Sequence, residues 1–180
     1  MPLPEESQIA ARIDGFATLP VTPRGNTYML IFTDRFRRRG DMYAVTVAQF
    51  TAEGTANTFI NRYNPLWGCP RSILSDDGLY FRSKLSQVVY KLVGVREVAI
   101  SSHYPNLKGG VERVNHMIAQ KLAIVVNEFQ TNWDQQLPQV ELEYNHSVSA
   151  AIGLAPNEVH MGRHPCLPLT IFKSTGVAGQ

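Results

Sequence analysis

Asp14, Asp76 and Glu112 are the residues whose types and positions could do chemistry together. Asp14 falls inside a strand-like run, Asp76 directly after another, and Glu112 at the start of a helical pattern. If the first strand lies beside the fourth, Asp14 and Asp76 become neighbours, and a helix entered through the flexible Gly109-Gly110 pair can bring Glu112 across. Three carboxylates crowded within a few ångströms repel one another and stay ionised only when cations share the site. Hard oxygen donors favour Mg²⁺ or Mn²⁺. Two such ions, about 3.5–4 Å apart, activate an attacking hydroxyl and stabilise the leaving oxygen of a phosphodiester, so the chemistry would be phosphoryl transfer. The chain holds 15 acidic residues, which offer other triples, and an acid ending a strand is commonly a turn former. Asp34 is the alternative for the first position and Asp77 for the second.

These side chains need elements to hold them. Residues 9–16 read as a first strand, 27–33 as a nearly continuous apolar second strand and 41–47 as a third, an antiparallel meander with turn residues Pro20, Pro23 and Gly25 between the first two. Ala52, Ala56, Phe59, Ile60 and Tyr63 recur at helical spacing, and Pro65 marks a stop. Residues 70–75 form a short buried strand, 83–93 a helix and 95–100 a further strand, an order with parallel character. Val111, Val114, Ile118, Leu122, Val125 and Phe129 make the stripe of an amphipathic helix. Another helix runs from Trp133 to Val148 with a kink expected at Pro138, and a last short one opens at Pro156. The expected architecture is α/β: a mixed five-stranded sheet, three antiparallel strands followed by parallel ones, flanked by helices.

A chain of 180 residues with 44% hydrophobic residues can bury one substantial core, which excludes a multidomain machine and wholesale disorder. Its apolar runs fall far short of the roughly 20 residues of a membrane span, so no membrane partner is expected. The first residues do not read as a secretory signal. Cys69 and Cys166 belong to no C-x2-C unit, which points to a reducing compartment without a zinc knuckle. Net charge is only +2, but it is segregated. Residues 122–162 hold Glu128, Asp134, Glu141, Glu143 and Glu158 with no Lys or Arg, a local charge of −5 that leaves +7 on the remainder. The acidic stretch is expected to form a solvent-facing helix or a partner surface. The basic surplus is densest at Arg35-Phe36-Arg37-Arg38-Arg39, which can neutralise phosphates or stand as a solvated loop.

Further motifs occur in a telling order: Asp14 before Leu19-Pro20; Gly25-Asn26-Thr27-Tyr28 leading to Thr33-Asp34-Arg35-Phe36; Trp67-Gly68-Cys69-Pro70; Ser75-Asp76-Asp77-Gly78; Gly109-Gly110-Val111-Glu112-Arg113; Asn132-Trp133; and Gly153-Leu154-Ala155-Pro156. In that order the chain resembles the integrase catalytic core of gypsy-type LTR retrotransposons, relatives of retroviral integrases. The resemblance covers residues 9–172, with 1–8 and 173–180 as short tails. The 35 residues between Asp76 and Glu112 match the family's separation, so Asp14, Asp76 and Glu112 fall on its catalytic and metal-binding triad, whereas Asp34 and Asp77 do not. The chain departs from the family at His103-Tyr104-Pro105, where Tyr-His-Pro is usual, and at Ala17-Thr18, where Gly-Pro is common.

The resemblance implies a ribonuclease-H-like fold and a polynucleotidyl transferase that integrates element DNA into a chromosome. It would use two Mg²⁺ or Mn²⁺ ions, first to cleave near the 3′ end and then to join that end to target DNA. Lys108, Arg113, Asn115 and His116, around the catalytic helix, and Arg37, Arg38 and Arg39 are the expected nucleic-acid contacts. Element ends and target DNA are the expected partners, a homo-oligomer the expected assembly and the nucleus the expected location. No zinc module precedes the core and almost nothing follows it, as expected of a piece of a polyprotein. The alternative is an inactive remnant that only binds nucleic acid or oligomerises.

Overall fold

The computed structural model describes residues 10–16, 19–70, 72–75, 87, 99–100 and 108–163. Strands β1 (Ala10–Phe16), β2 (Asn26–Asp34) and β3 (Gly40–Thr46) form an antiparallel meander. β4 (Ser72–Ser75) pairs parallel to β1, and β5 (Ala99–Ile100) parallel to β4, in the sheet order β3-β2-β1-β4-β5.

Both faces of this sheet are covered, which explains why β2 is apolar without a break. Leu30 and Phe32 face one core with Ala11, Ile13, Tyr43 and Val45, while Met29, Ile31 and Met42 face the other. The first core is closed by α1 (Ala52–Thr58), a π-helical turn (Phe59–Tyr63) and α2 (Asn64–Trp67), which supply Ala56, Phe59 and Tyr63. Pro65 therefore does not stop the helix. It sits in the first turn of α2, where its missing N–H goes unused, and the wide π turn before it relieves the ring's clash. Gly68, at φ +78°, ends the segment.

The second core is closed by α3 (Lys108–Val125) and α4 (Trp133–His146) through Ile118, Leu122, Trp133, Leu137, Val140 and Tyr144. Two expectations change here. Gly109 and Gly110 are not a hinge ahead of α3 but part of its first turn. Phe129 leaves the apolar stripe and is exposed, because the helix ends at Val125 and Asn127 turns the chain by bonding Thr131 and Asn132. A short α5 (Pro156–Met161) follows, its start fixed by Pro156 and by Glu158, which accepts the Ala155 N–H at 2.9 Å.

The acidic stretch is solvent-facing only in part: Glu128 is exposed and Glu143 part-exposed, but two of its carboxylates, Asp134 and Glu141, clamp the meander. Asp134 is buried and accepts from Thr22 Oγ1 at 3.1 Å and Asn26 Nδ2 at 2.8 Å. Glu141 accepts the Met42 N–H at 2.9 Å. Beside them, buried Asn145 accepts the Gly40 N–H at 2.9 Å and donates to the Gly40 carbonyl at 2.7 Å, docking α4 on β3. Among the described residues, no helix is long and apolar enough to cross a membrane.

Candidate active site

The pleat of β1 decides where Asp14 points. Ala11 and Ile13 lie in the core beneath α1, so Arg12 and Asp14 project to the opposite face, where α3 packs. The cross-strand pairing agrees, for Asp14 stands opposite Ile31, which touches the α3 core. Gly15 stands on the α1 face. A Cβ there would lie 2.5 Å from the Phe50 ring, so the missing side chain lets that ring press on β1 from the face opposite the carboxylate.

Along its other edge β1 pairs with β4 up to Ile13 and Ser75. Asp14 and Asp76 follow Ile13 and Ser75 in the sequence, but Asp76 and the alternative Asp77 lie outside the described residues. Glu112 belongs to α3, as do Lys108, Arg113, Asn115 and His116. The side chains of Lys108, Glu112 and Arg113 are outside the described set, Asn115 is half-buried and His116 is exposed. Among the described residues no three His, Cys, Asp or Glu side chains are grouped to hold a metal. The described part of the site is thus Asp14, on the helix-covered face of the sheet at the carboxyl end of β1, where ligands bind in open α/β sheets.

Asp14 carries a partner that attention to the acids alone does not find. Arg12 Nε lies 3.0 Å from Asp14 Oδ1 and 2.9 Å from Oδ2, and the two side chains are only 8% and 10% exposed. The sequence does hold the signal, since residues two apart on a strand share a face.

Asp34, the other candidate for the first carboxylate, stands at the far end of the sheet. It pairs with Ala11, three residues or about 10 Å along the strand from Asp14. Its Oδ1 accepts the N–H groups of Phe36 at 2.8 Å and Arg37 at 3.0 Å, which closes the β2–β3 turn, with Arg38 at φ +60°. The arginine cluster occupies this turn, away from Asp14, and does not form one surface. Arg38 is exposed, and Arg37 is part-exposed with Nη1 3.7 Å from Asp34. Arg39 turns inward: Nη1 meets Asp41 at 2.6 Å, Nη2 lies 3.9 Å from Glu141, and its guanidinium covers the Trp67 ring at 3.7 Å. Burial pushes the Asp41 and Glu141 carboxyls above their usual range, against the pull of Arg39. His160, edge-on to Trp67, is pushed below the usual histidine range by burial and by Arg37 and Arg39.

No family model matches the chain. It is 29% identical over 137 residues to the Gag-Pol polyprotein of walleye dermal sarcoma virus and 29% identical over 155 residues to that of feline leukemia virus. These alignments cover 76% and 86% of this chain but only 8% and 9% of the polyproteins, so the chain spans less than a tenth of these relatives. The HTLV-2 integrase catalytic core domain, solved in complex with magnesium in a trimeric form, superposes with a TM-score of 0.59 at 20% identity, over 83% of this chain and 95% of that one. The fold is that of a retroviral integrase catalytic core. The BIV integrase core has a TM-score of 0.61 at 15% identity, over 85% of this chain and 93% of that one. A chain of the simian T-cell lymphotropic virus intasome in complex with PP2A regulatory subunit B56 gamma has a TM-score of 0.64 at 16% identity, over 90% of this chain and 59% of that one. These likenesses show the α/β fold of those cores.

Proposed function

We propose that the chain is the catalytic core of a gypsy-type retrotransposon integrase, a polynucleotidyl transferase that trims the 3′ ends of element DNA and joins them to a chromosome. The observation that carries the reading is the placement of Asp14: nearly buried, on the α3 face, one residue beyond the Ile13–Ser75 pair that aligns β1 with β4. The integrase-core fold and the similarity to Gag-Pol polyproteins support it.

A divalent cation suits the donor chemistry, since Asp14 offers a hard carboxylate in a nearly buried place. Asp14, Asp76 and Glu112 would hold two Mg²⁺ or Mn²⁺ ions. When bound, these would lower the pKa of an attacking hydroxyl and stabilise the leaving oxygen. The chain's own contribution is orientation: β1 fixes Asp14 against β4, and α3 carries Glu112 on the same side of the sheet. Asn115 and His116, one turn after Glu112, together with Lys108 and Arg113, would receive the DNA end, while Arg37 and Arg38 would meet duplex farther away. Assembly as a homo-oligomer on DNA and action in the nucleus follow from this reading.

The test is 3′-end processing and strand transfer on oligonucleotide duplexes with Mn²⁺. Asp14→Asn, Asp76→Asn and Glu112→Gln should each abolish both reactions and leave the circular dichroism spectrum intact. A variant that keeps most of its activity removes that residue from the site. A wild-type chain that binds DNA but neither cleaves nor joins supports the remnant instead.

A further inference from the structure

We infer that Arg12 is a built-in counter-ion of Asp14 that competes with divalent metal for this carboxylate. The inference rests on the proposed reading of Asp14 as a metal ligand. The geometry that carries it is the position of Arg12 Nε, within 3.0 Å of Oδ1 and 2.9 Å of Oδ2, across the carboxylate edge where a cation would coordinate. The guanidinium does not arrive on a loose loop. Arg12 sits two residues before Asp14 on the same strand face, and β1 is hydrogen-bonded to β2 on one edge and β4 on the other. The backbone therefore cannot carry Arg12 away, and only its side-chain torsions can yield. Both side chains are about nine-tenths buried, so solvent screens little of the repulsion between a guanidinium and an incoming dication.

Two consequences follow. In metal-free protein Arg12 offsets the cost of a buried carboxylate and keeps the fold intact. In metal-loaded protein the guanidinium must leave the carboxylate edge, so ion affinity is set below what the carboxylates alone would give. A charge of this kind in a poorly screened site is worth on the order of tenfold in the dissociation constant. Arg12 is in this sense a positioning residue, acting on the metal through Asp14.

The experiment is calorimetric titration of Mn²⁺ into the full chain as wild type, Arg12→Gln and Asp14→Asn, with melting temperatures measured at zero and saturating Mn²⁺. Competition predicts that Arg12→Gln tightens Mn²⁺ binding about tenfold. It also lowers the metal-free melting temperature, and saturating Mn²⁺ closes that deficit. A merely structural arginine would lower the melting temperature equally at both Mn²⁺ levels. Unchanged or weaker binding in Arg12→Gln, with binding lost in Asp14→Asn, overturns the competition and leaves the metal reading standing. Wild-type affinity in Asp14→Asn overturns the metal reading itself, and this inference with it. If Arg12→Gln does not fold, the Arg12 Nε–H resonance of the wild type is followed by NMR during Mg²⁺ titration. A shift that saturates with the ion supports displacement, and a resonance that stays fixed at saturating Mg²⁺ overturns it.

Discussion

Replacing Arg39 by Ala should be among the costliest changes outside the proposed site. Arg39 is 14% exposed and its guanidinium has three partners: Asp41 at 2.6 Å, Glu141 at 3.9 Å and the Trp67 ring at 3.7 Å. Truncation leaves Asp41, 5% exposed, with the Trp67 Nε1 donor at 3.2 Å but without its cation. Removing one partner of a buried pair costs about 3–5 kcal/mol, and the residual exposure of Arg39 favours the lower figure, about 3 kcal/mol. At about 2–4 °C per kcal/mol for a chain of this size, the melting temperature should fall by about 6–12 °C. Arg39→Lys, which keeps the charge but loses the planar stack, should fall by less. The pH dependence identifies the cause. Burial already raises both carboxyls and Arg39 opposes it, so the folded variant holds their protons to higher pH than the folded wild type. Its deficit should be largest at neutral pH, where both acids must ionise unpaired, and shrink as pH falls through the raised range. Thermal melts monitored by circular dichroism from pH 4.5 to 7.5 measure both quantities. A loss below about 2 °C, or a deficit flat across pH, would refute the assignment of Arg39 as the internal counter-charge.

Three other outcomes are expected. Asn145→Asp keeps the shape but loses the donor to the Gly40 carbonyl and brings a charge into a site 2% exposed, so it should cost about 1–3 kcal/mol in urea unfolding; an unchanged midpoint would deny that this amide docks α4 on β3. The folded state holds the His160 proton more weakly than the unfolded chain does, so His160 costs stability as pH falls below the usual histidine value. His160→Gln should flatten stability in that window, and an identical acid slope in both proteins would contradict it. Changing Arg37 and Arg38 together to Ala should reduce the salt slope of DNA binding by up to about 0.9 for each phosphate that is no longer neutralised, whereas Arg39→Ala should leave the slope unchanged; the reverse result would place DNA on the inward arginine.

The scaffold was legible where one physical cause dominated. The apolar run at 27–33 is long because β2 is buried on both faces, and Val114, Ile118, Leu122 and Val125 keep helical spacing because α3 lies flat on the sheet. Phe129 fits the same spacing but falls beyond the helix end, which local hydrogen bonds of Asn127 decide rather than hydrophobicity. Pro65 misleads because a π turn makes room for it, and periodicity carries no trace of that turn. Within the site, the face of Asp14 follows from alternation with Ile13, and the same alternation reveals Arg12. The inward turn of Arg39 was not legible, since its partners Trp67 and Glu141 are remote in sequence and meet it only when α2 and α4 close on opposite faces of the meander.

The two-sided pairing of β1 makes the proposed chemistry all-or-nothing. Side chains on a strand alternate with a period of two, so a slide of one residue against β2 and β4 would sink Asp14 among Phe32 and Tyr43 and lift Ile13 toward α3. No halfway alignment exists in which the acid is merely displaced. Lesions that let β1 slip against β2 or β4 should therefore abolish the proposed activity as completely as loss of the acid, with secondary structure preserved. A random screen for dead variants would then trace out the ties of the meander as well as the ligands of the ions.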